Sequence, residues 1–110
     1  MYAGHSPDVE AEITFLHVEG IGGGSSVCSG YRPQFFYGGE NYVVVLELIG
    51  KELVGPGDTV TAHLHLLHPE LLYTHLKEGE RFELREGSYT VAKGVITCLL
   101  DLLKNAASNR

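Results

Sequence analysis

The sequence predicts an all-β domain, an antiparallel barrel or sandwich, and three observations carry that prediction. Six short runs have the composition and patterning of strands, several alternating apolar and polar residues with period 2. Turns rich in Gly and Pro separate them, among them Gly38-Gly39, Pro56-Gly57-Asp58 and Gly87-Ser88. No segment offers a convincing long helix.

The first strand is expected from Val9. There Val9, Ala11, Ile13 and Phe15 alternate with Glu10, Glu12 and Thr14, which gives one dry face and one acidic, wet face. Met1 to Asp8 reads as a loose lead. Gly20 to Ser26 reads as a flexible loop. A second, aromatic-rich strand is expected over Tyr31–Tyr37, with Pro33 at an edge, a bulge or the strand start because it has no N–H for a ladder. The third runs from Tyr42 to Ile49 and the fourth from Thr59 to His68. The fourth sets Val60, Ala62, Leu64 and Leu66 against Thr59, Thr61, His63 and His65. Pro69 to Gly79 is a long polar connection. The fifth strand, Glu80–Glu86, turns Phe82 and Leu84 inward, and the sixth runs from Tyr89 to about Leu100. The single domain spans 9–103, and 104–110 reads as a flexible tail. The alternative there is a short helix, since Leu99, Leu102, Leu103 and Ala106 share one helical stripe.

At 110 residues the chain has room for one core and not two. Its net charge of −6, with 14 acids against 8 bases, weighs against a protein that works mainly through phosphate contacts. Cys28 and Cys98 have no metal-type spacing and are expected as reduced thiols rather than a disulfide. The N-terminus lacks a basic region followed by an apolar one, and no apolar run approaches a membrane span. A cytoplasmic location without membrane contact is therefore expected. Met1 and its short lead suggest a natural start.

Four segments, in order, carry a resemblance. They are Gly30-Tyr31-Arg32-Pro33-Gln34-Phe35, Gly55-Pro56-Gly57-Asp58, Leu66-Leu67-His68-Pro69 and Arg81-Phe82-Glu83-Leu84-Arg85-Glu86-Gly87. Together they resemble the C-terminal (third) β-barrel domain of elongation factor Tu, from about Val9 to Leu100. The resemblance implies a six-stranded closed antiparallel barrel. It also implies a binding module without the family's GTPase domain, hence without GTP and without catalysis. In that family the strand holding Arg32 and Gln34 lies near the face that meets the GTPase domain, so these two residues become candidates for a partner contact. Their other reading is a hydrogen-bonded barrel rim. The loop at Gly23-Gly24 and the turn after Arg85-Glu86-Gly87 correspond to elements that hold the T-stem of aminoacyl-tRNA. This chain departs there: Ser25-Ser26 follow the glycines, and Tyr89 stands where the family has Arg. An RNA-contacting role through Gly23, Gly24, Arg85, Gly87 and Lys93 is thus the alternative function, with two cations fewer to displace counterions.

Two strands are apolar on both faces, whatever the family. In the third, Val43, Val45 and Ile49 oppose Tyr42, Val44, Leu46 and Leu48. In the sixth, Val91, Val95 and Leu99 oppose Ala92, Ile96, Cys98 and Leu100. A small barrel buries only its inner face, so the second apolar face needs a cover. A protein partner or a second copy would supply one through Tyr42, Val43, Val45, Val91 and Val95. The alternative is cover by the tail or by the Pro69–Gly79 connection. His63 and His65, at i and i+2, suit zinc if His17, His75 or a Glu adds a third ligand; the other reading is a wet strand face. Arg81, Glu83 and Arg85 read as an ion-pair ladder. Gly22-Gly23-Gly24 lacks the Lys-Ser/Thr ending of a phosphate loop. No nucleophile, base and orienter assemble from the sequence, and no cofactor is expected.

Overall fold

Strand order in the computed structural model, which describes residues 5–16 and 26–108, is β1-β4-β3-β2-β5-β6, and the sheet closes on itself. The strands are β1 (Val9–Phe15), β2 (Gln34–Tyr37), β3 (Glu40–Ile49), β4 (Thr59–Leu66), β5 (Arg81–Glu86) and β6 (Tyr89–Leu99), with one helix, α1 (Leu102–Ser108). All neighbours pair antiparallel. Period-2 alternation then sorts the side chains. Ile13, Phe35, Leu46, Leu64, Leu84 and Ile96 fill the interior, while Glu10, Glu12, Thr61 and Lys93 face out.

Strand ends differ from the sequence expectation where proline dictates them. β2 begins at Gln34, after Pro33 and not at Tyr31, because Pro33 has no donor for the ladder. Tyr31 instead follows the turn at Gly30 (φ 97°), and its carbonyl accepts the Leu46 N–H at 2.9 Å. β4 stops at Leu66, short of His68, because Pro69 opens a 3-10 turn over Pro69–Leu71. The connection that follows is less polar in its role than in its composition. Leu72 and Leu76 are buried in the core cluster, and α1 packs against the 3-10 turn.

The described residues near both ends, 5–8 and 102–108, are more ordered than the sequence reading held. Within the expected loose lead, Asp8 is fully buried, and its N–H donates to the Leu64 carbonyl at 2.9 Å. Within the expected flexible tail, α1 buries Asn105 and Ala106, together with Leu102 just before it. A helix does form there, but the expected stripe holds only for Leu102 and Ala106, which are buried beside Asn105; Leu103 is 69% exposed and Leu99 belongs to β6.

The doubly apolar strands are also resolved differently. β5 and β6 slip register between Leu84 and Arg85: Ala92 pairs with Leu84 and Thr90 with Arg85. Val91 is the extra residue of this bulge, and it lies in the core rather than on the outer wall. A second slip, between Glu10 and Ala11, leaves Thr97 extra. In β3, Val45 points outward yet is only 2% exposed, beside the fully buried His65. Neither Val45 nor Val91 is therefore presented to a partner, and Tyr42 packs inward against the core.

Candidate functional site on the outer wall of β2, β5 and β6

Pairing across β3, β2, β5 and β6 lays outward side chains in rows. Gln34 is opposite Val43 on one side and Arg85 on the other, and Arg85 is opposite Thr90. The next row holds Asn41, Phe36, Glu83 and Lys93, and the next Arg81 and Val95. The sequence candidates Gln34, Val43 (48% exposed) and half-buried Val95 therefore share one wall. Arg32, also exposed, sits just before this strand.

The wall is internally braced at its centre. The Arg85 guanidinium lies 3.5 Å from the centroid of the Phe36 ring. From there it donates twice to Glu83 Oε1, at 3.0 Å from Nε and 2.8 Å from a terminal nitrogen. Such a cation over an aromatic face contributes about 0.5–1 kcal/mol at a wet site. The Thr90 hydroxyl donates to the same oxygen at 2.8 Å. The Thr90 hydroxyl and the Arg85 guanidinium hold the Glu83 carboxyl below the usual carboxylate range. The expected Arg81–Glu83–Arg85 ladder is thus a Glu83–Arg85 pair, with Arg81 exposed beyond it.

The β2–β5 ladder ends at Phe36 and Glu83, before the β2–β3 turn at Gly38-Gly39. A cleft of about 360 Å³ opens at that point, lined by Phe36, Tyr37, Gly38, Arg81, Phe82, Glu83, Lys93 and Gly94. Its depth depends on Gly94. A Cβ there would lie 2.3 Å from the tip of the Phe82 ring, so only glycine lets that ring lie across β6. Phe82 stacks in turn on Phe35, with centroids 4.7 Å apart. Tyr37 closes one side, its hydroxyl donating to Glu80 Oε1 at 2.7 Å, and that bond pushes the phenol above its ordinary range. Sequence reasoning missed the cleft and the Phe36–Arg85 stack. The only signals were an aromatic at an outward position of β2 and a glycine inside an otherwise apolar strand.

The remaining candidates are dispersed. His63 Nε2 lies 3.2 Å from Glu10 Oε1 and His65 Nε2 lies 3.1 Å from Glu47 Oε1, so each ring has its own carboxylate. No group of three or more His, Cys, Asp or Glu side chains is placed to hold a metal ion among the described residues. Arg85 is committed to Phe36 and Glu83, and Gly87 sits in the β5–β6 turn at φ 60°. Gly23, Gly24 and His17 lie outside the described residues. No helix among the described residues is long and apolar enough to cross a membrane.

The family described as the elongation factor Tu C-terminal domain matches residues 4–100. The chain belongs to this family. The closed six-stranded antiparallel barrel is the fold that the Tu resemblance implied, and the domain is a translation-factor-related module of a non-catalytic type. Within the Tu fold, the β2–β5–β6 wall described above contains the Arg32-Pro33-Gln34 and Arg81–Arg85 segments that carried the resemblance.

Proposed function

We propose that this Tu-like barrel is a non-enzymatic protein-binding module that docks a partner on the outer wall of β2, β5 and β6. The partner is a component of the translation machinery or a second copy. The observation that carries this reading is the shared row of Val43, Gln34 and Arg85 beside the Phe36 stack and the cleft. An aliphatic side chain, an amide, an aromatic ring and a fixed guanidinium within one patch have the composition of an interface centre. Bracing by Glu83 and Thr90 means that little side-chain freedom is lost on docking. The opposite wall supports a partner less well: Glu10 with His63, and Glu47 with His65, already satisfy each other there.

A photo-crosslinking residue at Gln34 or Val43 tests this reading, with Thr61, exposed on the opposite wall, as control. In the full chain at micromolar concentration with cell extract, both wall positions should give a discrete protein adduct and Thr61 none. Phe36→Ala and Arg85→Ala should weaken that adduct's formation about tenfold or more, the loss typical of an interface anchor. Adducts to RNA from these positions, abolished by salt, would replace this reading with the tRNA-contacting one. Equal labelling from all three positions would refute it.

A further inference from the structure

We propose that the cleft beside β2 and β5 takes an acidic, extended peptide segment of a partner protein, whose apolar side chain enters the cleft while two carboxylates at alternate positions pair with Arg81 and Lys93. This rests on the docking wall proposed above and names the chemistry of what docks there.

The charge of the wall runs against that of the chain. The chain carries a net −6, yet four of its 8 Lys and Arg, namely Arg32, Arg81, Arg85 and Lys93, lie on this wall. Glu83 is the one carboxylate in the outward rows of β2, β5 and β6 among the described residues, and its Oε1 already accepts from Arg85 and Thr90. Arg81 and Lys93 are exposed, and neither holds an ion pair among the described residues. Glu80, which accepts the Tyr37 hydroxyl, stands outside the cleft lining. An acidic segment therefore finds two uncommitted cations here, while the acid excess elsewhere turns it away from the other faces.

Register sets the spacing. Arg81 pairs with Val95 and Glu83 with Lys93, so Arg81 and Lys93 are diagonal neighbours on either side of the Phe82–Gly94 pair. Such neighbours lie about 7–8 Å apart. Side chains two residues apart on an extended chain share one face and lie about 6.4–6.8 Å apart, so carboxylates at alternate positions match the two cations. Across the sheet Lys93 lies on β6, Arg81 on β5, and β2 comes next. The following residue on the same face of the peptide then reaches the cleft, where Phe36, Tyr37 and Phe82 supply apolar lining. Burial of an aliphatic or aromatic side chain there supplies affinity, and the carboxylates fix direction and register.

A nucleic acid fits this place less well. Phe36 has the Arg85 guanidinium over one face and Phe82 is 4% exposed, so neither offers an open ring for a base to stack on. A long polyanion also meets the net −6 of the chain, which a short segment with two carboxylates largely escapes.

An array of short peptides probed with the full chain tests this. Each peptide places two Asp or Glu at adjacent, alternate or wider spacing beside a Leu or Phe, with Asn and Gln counterparts. Alternate acids two residues from the apolar residue should bind best, and their amide counterparts about tenfold more weakly or worse. Arg81→Glu with Lys93→Glu, both at exposed positions, should weaken the best peptide about tenfold or more. Lys51→Glu with Lys104→Glu, also exposed and off this wall, changes the net charge equally and should leave binding near wild type. Equal binding of acidic and amide peptides, equal effects of the two double reversals, or no peptide retained overturns the proposal. So does an oligonucleotide of equal charge that displaces the best peptide, or self-association of the full chain that the Arg81→Glu, Lys93→Glu variant abolishes; these would put RNA or a second copy in the cleft. Crosslinking from Gln34 and Val43 separates the two readings. Adducts that persist in that variant while no peptide binds wild type overturn the acidic segment and leave the docking wall standing. Peptide binding with the expected charge dependence, but no adduct, supports the cleft site and removes the wider wall.

Discussion

Replacing Gly94 by alanine tests the packing on which the cleft rests. The added Cβ would meet three carbons of the Phe82 ring at 2.3, 2.7 and 2.8 Å, against an ordinary van der Waals separation of about 3.5–4.0 Å. The ring cannot swing clear cheaply, because it is 4% exposed and stacked on Phe35 at 4.7 Å. Either β6 moves away from β5 or Phe82 leaves its rotamer, and overpacking of this kind costs about 1–3 kcal/mol. For a domain of this size that corresponds to a fall in Tm of roughly 4–8 °C per kcal/mol. Urea unfolding at constant m-value measures the loss directly. A double-mutant cycle assigns it to the clash: Phe82→Leu removes the ring tip, so Gly94→Ala should cost less in that background, with a coupling of about 0.5–3 kcal/mol. A Gly94→Ala protein within about 0.5 kcal/mol of wild type, or a coupling of zero, would mean that Phe82 does not lie across Gly94 and that the cleft has another floor.

Three further outcomes follow from single side-chain hydrogen bonds. The Tyr31 hydroxyl donates to Glu86, and burial followed by that bond pushes the phenol well above its ordinary range of about 10. A raised folded-state value means that this stabilisation is complete below about pH 10 and is lost as pH rises further, so Tyr31→Phe should be less stable at pH 7, by about 1 kcal/mol, and should fall less steeply in alkali. Asp8→Asn leaves one amide nitrogen facing either the Leu66 N–H or the Asn105 amide, a buried donor against a donor, and should cost about 1–3 kcal/mol in urea unfolding. Thr90→Val removes the hydrogen bond that does most to hold Glu83 low, so the acid titration of Glu83 followed by NMR should move upward toward the usual carboxylate range while the fold is kept.

Much of the barrel was legible because each strand states its inner face twice, once by alternation and once by the turn that ends it. Val9, Ala11, Ile13 and Phe15 against Glu10, Glu12 and Thr14 leave no other arrangement, and the observed strand starts with the same residue. What was not legible depends on register. Val91 and Val95 look equivalent in the sequence, yet one residue of slip at Leu84/Arg85 sends Val91 into the core and keeps Val95 on the wall. Val45 looks exposed beside Val43 because strand alternation says nothing of what lies over a wall; here His5 and His65 occupy that region. The Phe36–Arg85 stack was hidden for a related reason. The two residues are far apart in sequence and meet only because Gln34 pairs with Arg85 and Phe36 with Glu83.

The two walls of the barrel differ in what the described residues lay against them. On the β4–β3 side, His5 lies against Leu66 and His65 of β4, and α1, packed on the 3-10 turn, is tied to this segment through Asn105 with Ser6 and Asp8. The outward rows of β2 and β3 keep Val43 and Gln34 exposed and Phe36 half-buried beside a cleft. The asymmetry follows from where the chain ends emerge: β1 and β6 are neighbours, so the segment before one and the helix after the other meet over the same edge of the barrel. A substitution that breaks the Asp8–Asn105 contact, such as Asp8→Asn, should therefore leave the proposed binding at Gln34 and Val43 intact.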